Sequence, residues 1–168
     1  MRIALLALAG LLSVHAQNRF FDSNGVSLRY VEKGTGTPVI LVHGYQGSIE
    51  RAWTGRGSAY AALTAKYRVI AIDCRGHGKS GKPHDPKQYG PEMALDIVRL
   101  MDHLHIPKAH IVGYSMGAHI TAKLLTMHPE RFLTATLGGA PGRLGWTAED
   151  DKRAETEASE MEQGINRS

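Results

Sequence analysis

Residues Gly113-Tyr114-Ser115-Met116-Gly117 read G-x-S-x-G, a pattern that can present a serine hydroxyl as a nucleophile. They stand between a short apolar run, His110-Ile111-Val112, and a helical pattern, Ala118 to Met127. A strand must turn sharply into a helix there, and such a strained turn lifts the serine clear of the sheet. A side chain at either flanking position would collide with the crossing backbone, so glycine is needed twice. The chemistry this permits is covalent: attack on a carbonyl carbon, an acyl-enzyme, and release by water. The competing reading is a tight turn carrying a solvated serine. The strand-turn-helix setting, which the pattern requires, argues against it.

Attack on a carbonyl needs two hydrogen-bond donors where the oxygen becomes negative. His43-Gly44-Tyr45 follows Pro38-Val39-Ile40-Leu41-Val42, a continuous apolar run of the kind buried on both faces of a sheet. A glycine at the end of such a strand lets backbone N–H groups face a ligand. The nominated oxyanion donors are the backbone N–H of Tyr45 and that of Met116, the residue after the serine. The His43 side chain is read as packed at the strand end and hydrogen-bonded to a loop. A third motif, Asp73-Cys74-Arg75-Gly76-His77-Gly78-Lys79-Ser80, follows another buried strand pattern, Tyr67 to Ile72.

Together these motifs resemble the N-terminal part of the α/β-hydrolase family, in its serine hydrolase branch with HG-x, D-x-R-G-x-G-x-S and G-x-S-M-G signatures. The resemblance runs from about Phe20 to about Gly142. It implies an α/β fold with a mostly parallel sheet and flanking helices, incomplete at its C-terminal end. It implies that the Arg75-to-Ser80 loop shapes the floor near the active site without doing chemistry. A serine at the elbow disfavours the family's dehalogenases and epoxide hydrolases, which place an aspartate there. The family's triad runs Ser, then Asp or Glu, then His. No histidine follows His128, and the next carboxylate after Glu130 is Glu149. His119 lies on the elbow helix and points back along it. His128 precedes Pro129 at the helix end, where a cation suits the dipole. Neither is assigned to the triad, so the acid and the histidine are expected to lie outside this chain. The resemblance therefore points to a hydrolase of a small ester or related acyl substrate, present as an incomplete chain. Aminopeptidase, perhydrolase and C–C bond hydrolase activities follow it. The alternative is a non-catalytic, truncated or degenerate member of the family.

Composition narrows the partners. Net charge is +4, but no Lys/Arg block exceeds two residues, so no nucleic-acid footprint is expected. No metal-ligand spacing is evident and no cofactor is implied. The single cysteine, Cys74, excludes an internal disulfide and, directly after an apolar strand, reads as buried and inert. Residues 1–16 read as a secretory signal peptide: Arg2, a short apolar run from Ile3 to Leu12, and Val14-His15-Ala16 before the cut. The expected location is secreted or periplasmic, with no stable membrane insertion after cleavage. Residues 17–145 form the core portion. Residues 146–168 form an acidic tail with a thin helical stripe, either the start of a cap or a solvated helix. Oligomeric state is left open.

The elements that must position these residues follow in order. Phe20-Phe21 and Ser27 to Val31 read as a hairpin around Asp22-Ser23-Asn24-Gly25. A helix is expected near Tyr60 to Lys66, then the strand at 67–72. Pro91 opens a helix whose apolar face is Ala94, Ile97, Val98, Met101 and Leu104, with Pro107 as its stop. Strand 109–112, helix 117–127 and strand 132–137 complete a βαβαβ series, which argues a parallel sheet with right-handed crossovers.

Overall fold

The computed structural model describes residues 17–55 and 58–140, together with the single positions Glu149, Lys152, Thr156 and Ser159. The expected signal peptide and most of the acidic tail lie outside the described residues. The four single positions are helical and exposed, and Thr156 Oγ1 donates back to Lys152 O at 2.8 Å.

The chain opens with a hairpin of β1 (Arg19–Ser23) and β2 (Val26–Lys33). Its turn is shorter than the sequence pattern indicates: Ser23 pairs Val26, and only Asn24 and Gly25 lie between them. Both have positive φ, 55° and 81°, the requirement of a two-residue turn that matches strand twist. Then come β3 (Pro38–Val42), β4 (Arg68–Ile72), β5 (Ala109–Tyr114) and β6 (Phe132–Gly138). The sheet order is β1-β2-β4-β3-β5-β6. β1, β2 and β4 are antiparallel neighbours, whereas β4, β3, β5 and β6 are parallel. The site-bearing strand ends, Val42 and Tyr114, therefore finish at the same edge of the sheet, where Val42 pairs Gly113.

Alternation divides the core between the two faces. Ile40, Val42, Ile70, Ile72 and Ile111 pack with Ile97 and Met101 of α3 (Pro91–His103) and Leu124 of α4 (Met116–Met127). Val39, Leu41, Val69 and Ala71 face the other way. They pack with Ile49 of α1 (Ile49–Ala52), Tyr60 of α2 (Ala59–Leu63) and Trp53 between them. Burial of an aliphatic side chain of this size stabilises by about 1.5–3 kcal/mol, so β3 and the apolar residues Val69, Ile70, Ala71 and Ile72 of β4 anchor both layers.

Three local features depart from the sequence pattern. α1 has four residues, too few to show a period; its N-cap is Ser48, whose Oγ accepts from Arg51 N–H at 3.2 Å. α2 ends at Leu63 rather than near Lys66. α3 stops at His103, before Pro107 acts. His105 takes a left-handed φ of 54°, its N–H donates to Asp102 O, and Ile106 N–H reaches back to Met101 O at 2.8 Å. That is a Schellman closure, with histidine where glycine is usual.

Candidate active site

The elbow is built as its glycines require. Ser115 has φ 52° and ψ −115°, a sparsely populated conformation that costs about 1–3 kcal/mol and persists only under tight surroundings. A Cβ on Gly117 would lie 2.2 Å from Val42 O, because the start of α4 crosses the end of β3. A Cβ on Gly113 would lie 2.2 Å from Gly117 O and 2.5 Å from Thr121 Oγ1. Thr121 is buried and donates to Gly117 O at 2.8 Å, which closes the same turn. Ser115 N–H donates to Gly138 O at 2.8 Å, so the turn is also tied to the end of β6. The serine hydroxyl does not cap α4. Met116 is the first residue of α4, and the first N–H groups of a helix lack partners within it.

The loop after β3 comes against this turn. A Cβ on Gly44 would lie 3.2 Å from Ser115 Cβ, which places the Gly44 backbone beside the serine. The chain turns back at once, with Gly47 N–H donating to Gly44 O at 3.0 Å and Gln46 at φ 55°. The Tyr45 and Tyr114 side chains are exposed at the mouth. Gly44, Tyr45, Arg51, Ala52, Trp53 and Tyr114 line a cavity of about 450 Å³.

His43 is fully buried and has a structural task. Its Nε2 accepts the Cys74 N–H at 3.0 Å, so its Nδ1 carries the proton and donates to Gly44 O at 2.7 Å. One ring thus joins the loop after β3 to the loop after β4. Burial lowers its pKa, with the nearby His77 adding to the effect, so the neutral ring persists. With both nitrogens engaged it cannot act as a base for Ser115. The Cys74 thiol is buried and held protonated, first by desolvation and then by Asp96 and Asp73.

Asp73 carries the second tie. Its buried carboxylate accepts the Ile49 N–H at 2.8 Å, the Lys79 N–H at 2.8 Å and Arg29 Nη1 at 2.8 Å. A Cβ on Gly78 would lie 2.3 Å from that carboxylate, which explains the second glycine of the loop. Ser80 Oγ donates to Asp73 O and accepts the Arg29 N–H. Arg75 is buried and forms a two-pronged pair with Asp96, at 3.0 and 2.7 Å, and also donates to Ser23 O. The buried Asp73, Arg75 and Ser80 of this motif are all engaged in hydrogen bonds that tie it to neighbouring elements.

Sequence reasoning missed the cation beneath this loop. Arg29 is only 3% exposed; its Nη1 donates to Asp73 Oδ2 at 2.8 Å and to Glu50 Oε2 at 2.9 Å, and its Nη2 donates to Glu50 Oε1 at 2.6 Å. Glu50 is thereby held down to about 2 by the Arg29 hydrogen bonds. It missed Asp96 too, which sits at a helix position buried beside Ile97. Of the two later histidines, His119 is exposed on α4, and His128 Nδ1 lies 3.4 Å from Glu130.

Comparison with known proteins agrees with this geometry. A family profile described as alpha/beta hydrolase fold matches residues 37–160. The chain is 37% identical, over 72% of its length and 32% of the relative's, to the dihydrolipoyllysine-residue acetyltransferase component of the acetoin cleaving system of Pseudomonas putida. It is 37% identical to an epoxide hydrolase of Caballeronia sordidicola, over 66% of this chain and 33% of that protein. An epoxide hydrolase structure from Vigna radiata superposes with a TM-score of 0.72 at 26% identity, covering 83% of this chain and 44% of that one. The chain thus spans about a third of the length of these curated relatives. With the profile match over 37–160, the strained serine elbow and the sheet order in agreement, the chain belongs to the α/β-hydrolase fold family.

Proposed function

We propose that this chain carries the nucleophile half of a serine hydrolase acting on a small ester or related acyl substrate. Ser115 attacks the carbonyl and forms an acyl-enzyme. The backbone N–H groups of Tyr45 and Met116 hold the oxyanion, and water releases the acyl group. The observation that carries this reading is the φ 52° conformation of Ser115 beside the Gly44 backbone. A strained, non-glycine residue at a strand-to-helix turn persists where function uses it. The relatives named epoxide hydrolase share the fold; the serine at this chain's elbow favours acyl transfer over their named reaction. Among the described residues no histidine–carboxylate pair meets Ser115, so the chain alone is expected to be a slow catalyst. The test is acyl transfer from p-nitrophenyl acetate, with Ser115→Ala as the control.

A second part of the proposal concerns export. Arg2, the apolar run to Leu12 and Ala16 support removal of residues 1–16 and a secreted or periplasmic mature chain. Mass spectrometry of exported protein should find Gln17 at the N-terminus, cyclised or not. A chain that begins at Met1 and stays with membranes would show an anchor instead.

A further inference from the structure

The turn of the β1–β2 hairpin places a reactive pair of residues far from the serine. Asn24 and Gly25 form it, both exposed, at φ 55° and 81°. Asparagine is among the thermolabile residues, because the backbone nitrogen of the next residue can attack its side-chain amide. The side chain of that next residue controls access. Gly25 has none, and beyond its chain neighbours nothing lies within 4 Å of where a Cβ would stand. The chain's other asparagines, Asn18 and Asn166, are each followed by arginine, whose side chain crowds the same attack. The restraints on the pair are long: Asn24 Nδ2 donates to Glu92 Oε2 at 3.4 Å, and Gly25 N–H donates to Asp22 Oδ1 at 3.2 Å. The surroundings make a change here consequential. Ser23, directly before Asn24, is buried; its Oγ donates to Asp96 Oδ1 at 2.5 Å and its carbonyl accepts Arg75 Nη2 at 3.1 Å. Glu92 pairs with Arg99 at 2.9 Å, and this bond, with the Asn24 amide adding to it, holds the Glu92 carboxyl below its usual range.

We propose that Asn24 is a site of spontaneous deamidation through a cyclic imide with the Gly25 nitrogen, and that the product unsettles the charged network of Arg75, Asp96 and Glu92. The Gly25 nitrogen attacks Asn24 Cγ. The N–Cγ bond forms, the Cγ–Nδ2 bond breaks, and Nδ2 leaves as ammonia with the proton of the Gly25 amide. Water then opens the imide at either carbonyl and leaves aspartate or isoaspartate. Either product sets a carboxylate beside the ionised Glu92, so an attractive contact becomes a repulsive one. Isoaspartate also adds a carbon to the backbone of a turn that has only Asn24 and Gly25 between the paired Ser23 and Val26. A turn this short fixes the strand register, so the added atom displaces Ser23, and through it Asp96 and Arg75.

The test ages the purified, folded chain in mildly alkaline buffer and follows it by peptide mass spectrometry, with isoaspartate detected by enzymatic methylation. Asn24 is expected to convert first, ahead of Asn18 and Asn166, and to give both aspartate and isoaspartate. Asn24→Asp, which is one of the two products, is expected to lower the folded-to-unfolded ratio about threefold in urea, the size of an exposed charge contact. The same substitution is expected to be nearly silent in a Glu92→Gln background. The aged chain, which also carries isoaspartate, is expected to unfold at lower urea than Asn24→Asp does. An Asn24 that stays intact, conversion of Asn18 or Asn166 ahead of it, or an Asn24→Asp chain as stable as the parent would each overturn the inference. So would an equal loss with and without the Glu92 carboxylate, or an aged chain no weaker than Asn24→Asp.

Discussion

The two flanks of the β3–β5 pair are secured by different physics. On the β4 side, charges stitch loops together: the buried Arg29 and Asp73 and the half-exposed Glu50 join β2, the loop after β4 and α1. Arg75 and Asp96 join the next loop to α3, and His43 bridges the loops after β3 and β4. On the β6 side the contact is mostly strand pairing with β5, and Leu133 and Leu137 are 47% and 45% exposed. The difference teaches where rigidity is placed. The backbone of the loop after β3, one of the two proposed oxyanion donors, is fixed by groups that would be costly to leave unpaired. The strand beside the elbow, by contrast, is apolar on a surface that nothing in the described residues covers.

The largest effect that would break this contrast is on the charged flank. Arg29→Met leaves Asp73 buried without its cation, and it should destabilise the chain by about 3–5 kcal/mol in urea unfolding. Pairing it with Asp73→Leu should recover part of the loss, since replacing a whole buried pair is often near neutral. A loss below about 1 kcal/mol for Arg29→Met would mean the network is ornamental.

The open flank makes the next prediction. β6 is uncharged, β-prone and free of proline, and its Leu133, Thr134, Thr136 and Leu137 are exposed. A polypeptide of residues 17–168 should therefore associate in size-exclusion chromatography with light scattering. Placing lysine at Leu133 and Leu137 should shift it toward monomer. A stable monomer with a sharp cooperative unfolding transition would show that β6 is covered after all.

The smallest effect is a pH dependence. Arg29 depresses the Glu50 pKa to about 2 in the folded chain, against 4.5 as its ordinary value. A depressed carboxylate contributes stability above its unfolded pKa and loses it as pH falls through the folded one. Stability should therefore decline between about pH 4.5 and 2, and Glu50→Gln should remove that component. Glu50 is 48% exposed, so solvent screening holds the effect below about 1 kcal/mol. An unchanged acid limb in Glu50→Gln would assign the decline to other carboxylates.

What could be read from the sequence follows from period and punctuation. Pro38 to Val42 reads as a buried strand and is one, because an unbroken β-branched run has few other uses. The glycines at 113 and 117 announce the crossing of α4 over β3, because no other residue fits there. Arg29 was illegible, since an arginine within an alternating strand reads as a solvent-facing residue, and only the tertiary fold brings Asp73 and Glu50 to it. The end of α3 was misplaced because His105 adopts a conformation that glycine usually signals. α1 was overlooked because four residues carry no period, although Ser48 followed by an acidic residue hinted at a helix start. That the buried Trp53 N–H meets no acceptor among the described residues is a property of packing, which no pattern in the chain encodes.

The central claim is that Ser115 is an acyl-forming nucleophile, and locating the acyl group tests it most directly. The chain is incubated with p-nitrophenyl acetate, quenched in acid, digested and mapped by mass spectrometry. The expected result is slow p-nitrophenol release, an acetyl group on Ser115, and loss of both in Ser115→Ala. Acetylation confined to lysines, with release unchanged in Ser115→Ala, would contradict it.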